Sequence, residues 1–276
     1  MSEDEYGTRA LGPLRGRLRE GAGQLRGRSR IASSALRRLS QAGRPAGIDV
    51  EMGDARLRLY PDENVTDKRA YMAQPILGED VRATVRRLST AAAGPFRFVD
   101  VGANTGLYSI RFAQVAREAG VVFEGLAIEA FPPTFARMRF NLEASGLLGE
   151  GANRVRAVPA AVSDVEGTVR LDTGFRDLGR VRIADDGGVE VPARRLSAIV
   201  AEAGLERVDL LKIDVEGHEL AALAPFFAST PPEIWPKVIL AETLAQADPL
   251  EPLLFARGYT IVARSKANAV FERHGA

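Results

Sequence analysis

The pattern of apolar and polar positions divides the chain from residue 96 onward into alternating strands and helices. Phe96, Phe98, Val99 and Val101 form an apolar run rich in β-formers, long enough for one buried strand that Asp100 closes. Gly102 and Gly106 bracket Asn104, and from Leu107 the pattern turns helical. Leu107, Ile110, Ala113 and Ala116 share one face, with a stop at Gly120. A second strand is predicted over 123–129. A helix opened by Pro132 and Pro133 then runs through Phe135, Met138, Leu142 and Leu147. A third strand is expected over 155–162, a short segment over 167–171, and a hairpin over 180–192 turning at 185–188. The helix over 196–203 stops at Gly204. Residues 208–214 read as an apolar strand interrupted only by Lys212, and 238–242 as another strand followed by a helix to Arg257. Residues 259–263 and 269–271 suit a closing antiparallel pair. Such alternation implies an α/β protein with a mostly parallel sheet and helices on both faces.

Ahead of this region the pattern changes twice. Residues 47–60 read as two short strands around a turn at Gly53-Asp54, with Leu57 and Leu59 alternating with Arg56 and Arg58. Residues 61–64 break that run, and Val81, Val85 and Leu88 then line one face of a helix ending before Gly94-Pro95. Residues 48–95 are therefore expected to be an N-terminal extension, a hairpin plus a helix, packed on a main domain over 96–276. Whether it also covers a site as a lid is open at this level. Residues 1–47 carry ten Arg against Glu3, Asp4, Glu5 and Glu20. Leucines or Ala32 recur every seven positions from Leu11 to Leu39, so a basic amphipathic helix facing an acidic surface is one reading. Gly12, Gly16, Gly21, Gly23 and Gly27 each weaken a helix by about 1 kcal/mol relative to Ala. That favours the other reading, an Arg-rich, solvated and disordered tail.

Composition narrows the functional classes. A chain of 276 residues that is 46% hydrophobic and 26% charged can bury a sizeable core. A net charge of +1 argues against wholesale nucleic-acid binding. With no Cys there is no disulfide, thiolate metal site or Cys nucleophile, which suits a reducing, cytoplasmic setting. His218 and His274 are the only histidines, so a multi-histidine metal site is not expected and no metal ligand is assigned. No apolar run reaches the length of a membrane span, and no apolar h-region marks a secretory signal.

Two stretches carry chemistry. The first is the turn after Asp100, which reads Asp-x-Gly-x-x-x-Gly where a dinucleotide fold needs Gly-x-Gly-x-x-Gly. A carboxylate at that strand end repels phosphate and suits a cationic ligand, an amino-acid ammonium beside a sulfonium, as in S-adenosylmethionine. Glu129, ending the neighbouring strand, can accept from both hydroxyls of a ribose. Ala161, Val162 and Ser163 are placed to meet an adenine edge. The second stretch is KIDVEGHE, residues 212–219, where Asp214, Glu216 and Glu219 crowd a strand-to-helix turn around His218. A general base, substrate positioning and a divalent-cation site are the functional readings, and a helix start with complementary acids is the structural one. Lys212 is expected to pair with one of these acids, and Glu242 ends a strand at the same sheet edge.

The segments VDVGANTGLYSI, IEAFPPTFARMRFNLEASG, AVSDVEGTVRL and LLKIDVEGHELAAL together resemble the FkbM-type class I methyltransferases, over residues 96 to about 260. The resemblance implies a seven-stranded Rossmann-like fold. It also implies methyl transfer from S-adenosylmethionine, commonly to a hydroxyl oxygen of a sugar or secondary metabolite. It carries over Asp100, Gly102, Asn104, Gly106 and Glu129 as cofactor contacts, and Asp214, Glu216, Gly217 and Glu219 as the signature turn. The family tolerates several residues at the position of His218. The catalytic set is therefore expected to be Asp214, Glu216 and His218, with Val162 joining the cofactor contacts and a small-molecule hydroxyl compound as acceptor. A competing reading is a non-catalytic adenosyl-ligand-binding or scaffold protein working through its basic tail.

Overall fold

The computed structural model describes residues 5–44, 46–76, 78–91, 94–175, 177–186, 188–242, 249–265 and 268–275. In chain order the elements are α1 (Pro13–Leu25), α2 (Arg30–Gln41), β1 (Ile48–Met52), β2 (Ala55–Leu59), α3 (Val65–Tyr71), α4 (Glu79–Ala91), β3 (Phe96–Val101), α5 (Leu107–Glu118), β4 (Phe123–Ile128), α6 (Pro132–Ala144) and β5 (Arg154–Val158). They continue with β6 (Ala161–Val162), β7 (Gly167–Asp172), a 3₁₀ turn (Leu178–Arg180), β8 (Arg182–Ile183), β9 (Val189–Arg194), α7 (Leu196–Glu202), β10 (Leu210–Ile213), α8 (Glu219–Ser229), β11 (Val238–Glu242), α9 (Leu250–Phe255), β12 (Tyr259–Arg264) and β13 (Asn268–Arg273).

Seven strands in the order β12-β13-β11-β10-β3-β4-β5 make the main sheet. Its members pair in parallel except around β13, which runs antiparallel to both β11 and β12. This is the mostly parallel α/β sheet that the alternation of strands and helices predicts, with the seven strands that the resemblance to the FkbM-type methyltransferases implies. Side chains alternate across β3, so Phe96 and Phe98 enter one core while Val99 and Val101 enter the other. On the first face Phe98 meets Phe112 of α5 edge-on, with ring centroids 4.5 Å apart. On the second, Ile199, Leu223 and Phe226 of α7 and α8 close the layer.

Two strand expectations are corrected. The run over 155–162 is not one strand, because Pro159 interrupts it; β5 stays in the main sheet while β6 pairs with β9. Residues 180–192 do not form a hairpin of their own, because β8 and β9 both pair with β7, one on either side. The result is a second sheet of order β6-β9-β7-β8. Helix α3 carries no periodic signal in its seven residues. It is set by Asn64, whose side chain accepts from the backbone N–H groups of Thr66 and Asp67. The helix expected up to Arg257 is α9, and residues 243–248 of that stretch lie outside the described residues.

The expectation of a disordered tail fails over residues 13–41, which form the antiparallel pair α1 and α2. Its inward face joins polar contacts to the buried Ala22 and the partly buried Leu36. Ser33 donates to the carbonyl of Ala22, Ser40 shares a 2.7 Å hydrogen bond with the Tyr71 hydroxyl, and Arg37 pairs with Asp62. The glycines that weigh against a helix are used for close approach. A Cβ on Gly23 would lie 2.6 Å from the carbonyl oxygen of Met72, so only glycine lets α1 settle there.

Candidate active site

The chain leaves β3 toward β4 and β5, then returns on the other side of β3 as β10. This reversal opens a crevice at the C-terminal strand ends, where an open α/β sheet takes its ligand. A cavity of about 630 Å³, open to solvent, occupies it. Gly102, Asn104, Glu129, Asp214 and Glu216 line it from the main sheet. Leu171, Leu178, Val181 and Ile183 close it from the second sheet and the turn before β8.

The loop after β3 is held by backbone geometry. Gly102 and Asn104 both take positive φ, 71° and 53°. The N–H groups of Gly102 and Ala103 donate to the carbonyl of Ile128 at 3.0 and 2.9 Å, locking the loop to the end of β4. The Asn104 N–H donates to Glu129 Oε2 at 2.8 Å, and the Phe131 N–H donates to Oε1 at 2.9 Å. Each carboxylate oxygen thus holds one backbone donor. A carboxylate has about four acceptor positions, so capacity for two more donors remains. Burial pushes the Glu129 carboxyl up, and the two backbone donors oppose that shift.

A second group of charges forms where β10 and β11 end. Lys212 Nζ donates to the Gly102 carbonyl at 2.6 Å and lies 3.5 Å from both Asp100 Oδ1 and Asp214 Oδ2. Burial would lower the Lys212 ammonium, but Asp214 and Asp100 together hold it above its ordinary value. The pairing expected for Lys212 is therefore present with two acids. Asp214, Glu216 and Glu242 each present an oxygen within 4.8 Å of the others. Burial first, then the charges of Asp214 and Glu216, push the Glu242 carboxyl up to about 8. Glu216 is also raised, by burial and then by Asp214, while Arg180 opposes.

Of the residues singled out in the sequence, Gly102, Asn104, Glu129, Val162, Asp214 and Glu216 line the cavity, whereas Asp100, Gly106 and His218 do not. Asp100 is fully buried and accepts from the Ser109 hydroxyl at 2.7 Å, so its charge is answered by Lys212 and not by a ligand. Gly106 starts α5 with φ 81° and packs against Met138. His218 turns to the second sheet, where its Nε2 lies 3.1 Å from Ser163 Oγ. Glu219 is structural. Its Oε1 accepts from the backbone N–H groups of Val215 and Gly217, capping the turn into α8.

Sequence reasoning placed Glu242 at the right edge without giving it a role, and it missed the closing wall altogether. That wall is anchored by the N-terminal extension. Asn64 Nδ2 donates to Asn104 Oδ1 at 2.7 Å, the Leu178 N–H donates to the Glu63 carbonyl at 2.9 Å, and the Val65 N–H donates to Asp177 Oδ1 at 3.3 Å. Residues 63–65 therefore tie the loop after β3 to the turn roofing the cavity. The signal for this was Asn64 itself, a helix-capping residue at the end of the break at 61–64.

The family described as the methyltransferase FkbM domain matches residues 100–261, the stretch that builds both halves of this crevice. Among curated proteins, the methyltransferase sdnD of Sordaria araneosa is 30% identical over 170 residues, 49% of this chain and 62% of that protein. The 31-O-demethyl-FK506 methyltransferase FkbM of Streptomyces tacrolimicus is 27% identical over 198 residues, 59% of this chain and 72% of that one. The 2-O-methyltransferase NoeI of Sinorhizobium fredii is 31% identical over 145 residues, 46% of this chain and 55% of that one. The match thus spans less than two thirds of sdnD and of NoeI.

Proposed function

The chain belongs to the FkbM methyltransferase family, and on that premise we propose that it methylates a hydroxyl oxygen of a sugar or secondary metabolite, with S-adenosylmethionine as donor. The cavity fits this cofactor in three parts. Ile128, Ala161, Val162, Leu171 and Ile183 offer an apolar slot for an adenine ring. The remaining acceptor capacity of Glu129 matches a ribose diol. Asp214 and Glu216 supply negative charge to face the sulfonium, a charge that S-adenosylhomocysteine lacks. When bound, the cofactor supplies an electrophilic methyl group on a sulfonium.

The protein's own part is to align an oxygen nucleophile, exclude water and take up one proton. Asp214 and Glu216 line the cavity and are the groups positioned for that last task, with the protonated Glu242 beside them. The observation that carries the reading is that Asp214 and Glu216 line the same cavity as Glu129, with Glu242 close beside them. Hydroxyl acceptors are the choice because carboxylates can remove an O–H proton as the new bond forms. The relatives named for O-methylation, NoeI and FkbM, support the same class. Incubation with methyl-labelled S-adenosylmethionine and a metabolite extract, followed by mass analysis, tests it. One labelled methyl on a product oxygen is expected, and no label above a heat-inactivated control would overturn the proposal.

One observation favours a second reading of the cluster. Three carboxylate oxygens within 4.8 Å of one another could also share a divalent cation. Loss of turnover to a chelator, with recovery on adding Mg²⁺, would make these groups ligands instead of bases.

A further inference from the structure

Helix α2 departs from the usual amphipathic pattern, since the side chains it buries fully are polar and Leu36 packs only partly against the core. Ser33, Arg37 and Ser40 are buried on one side of it. Ile31, Ala35, Leu39 and Ala42 lie on the opposite side, spaced at i, i+4, i+8 and i+11, and all four are exposed. Ile31 is 86% exposed and Leu39 57%, while Leu14 on α1 is 72% exposed. Arg26, Arg28, Arg30 and Arg38 are exposed around this stripe, three of them within five residues of the tip. None of the four joins an ion pair among the described residues, in contrast to Arg37, which is held by Asp62. Glu20 is the only acidic residue between positions 6 and 44. The fold thus spends its polar groups on docking the hairpin and leaves apolar side chains ringed by unpaired guanidinium groups.

We propose that this face docks on a bilayer surface rich in anionic lipid. Arginines then meet headgroup phosphates while Ile31 and Leu39 enter the boundary of the acyl region, as for a helix lying in the interface plane. A soluble polyanion explains the arginines but not the exposed Ile31 and Leu39. Single-stranded nucleic acid is also recognised through aromatic stacking, and residues 7–59 contain no Phe, Tyr or Trp. No helix among the described residues is long and apolar enough to cross a membrane.

The test is co-sedimentation of the full chain with vesicles of phosphatidylcholine alone, or with about a third phosphatidylglycerol, at low and high salt. The wild type is expected to sediment with the anionic vesicles only, and less at high salt. The variant with Arg26, Arg28, Arg30 and Arg38 changed to Gln should lose roughly ten-fold or more in partitioning, and so should Ile31→Ser with Leu39→Ser. Both should keep the wild-type melting temperature, because every altered side chain is exposed. Wild-type protein remaining in the supernatant with both vesicle types overturns the proposal. Undiminished binding of the Ile31→Ser, Leu39→Ser variant also overturns it, because the contact would then be that of any polyanion.

Discussion

A Cβ placed on Gly102 would lie 1.9 Å from the carbonyl oxygen of Asp214, so the loop after β3 and the turn after β10 are built against each other. Gly102 also has a φ of 71°, in the region that favours glycine. The two halves of the site are therefore one mechanical unit, and Lys212 reinforces it by bonding the Gly102 carbonyl and standing between Asp100 and Asp214. Gly102→Ala is expected to destabilise the fold by more than about 1 kcal/mol and to impair cofactor binding as well. A melting curve and a titration with S-adenosylhomocysteine check both. A variant as stable and as tightly binding as wild type would mean that the two loops are not coupled.

Glu129→Ala tests the cofactor half. It removes the acceptor that holds the Asn104 and Phe131 N–H groups and the capacity left for a ribose. Calorimetric titration with S-adenosylhomocysteine should show weakening of roughly 1–3 kcal/mol. NAD should give no heat with either protein, and equal affinity of the two proteins for S-adenosylhomocysteine would remove Glu129 from the site.

The raised Glu242 carboxyl gives a signed pH dependence. Between the ordinary carboxylate value of 4.5 and about 8 the unfolded chain ionises this group while the folded chain keeps it protonated. Its contribution to stability is therefore fully present below pH 4.5 and is lost as pH rises through 8. Because the group is partly open to solvent, the effect is discounted to something like 1 kcal/mol. Glu242→Gln should melt about 2–4 °C above wild type at pH 8.5, with little difference at pH 4.5. The same difference at both pH values would show that burial and neighbouring charge do not raise this carboxyl.

Removal of residues 1–44 is expected to lower the melting temperature by several degrees. The hairpin covers Tyr71 and Met72, which are almost fully buried, and each such side chain contributes about 1.5–3 kcal/mol when covered. Scanning calorimetry of a chain starting at Pro45 checks this, and an unchanged transition would mean that the hairpin does not contribute to stability.

The architecture was legible where burial and hydrophobicity coincide. Phe98 and Val99 on β3 and Leu107 and Ile110 on α5 announce their elements because the buried side chains are also the apolar ones. The helices α1 and α2 were hidden for the opposite reason. Beside Ala22 and Leu36, their inward contacts are made by Ser33, Arg37 and Ser40, satisfied by the Ala22 carbonyl, Asp62 and Tyr71, and by glycines that a propensity scale counts against a helix. In the site, sequence spacing put Asp100 and Asp214 at strand ends and His218 in the turn that follows one of them, but spacing does not give side-chain direction. Asp100 turned to Lys212 and His218 to Ser163, while Glu242, further along the chain, came beside Asp214 through the pairing of β10 with β11. The roof over the cavity depended on contacts between residues 63–65 and 177–178, a separation that no local pattern encodes.

The most direct test of the account separates binding from chemistry at the turn after β10. Asp214→Asn and Glu216→Gln keep shape and remove charge at two residues that line the cavity with Glu129 and lie beside Glu242. Single-turnover methyl transfer should be measured beside the affinity for S-adenosylhomocysteine and the melting temperature. The account predicts nearly unchanged affinity and a rate lower by roughly 10²–10⁴-fold in at least one of the two variants. Lower melting temperatures in both, with the rate per folded molecule intact, would contradict it and leave this turn as a helix start.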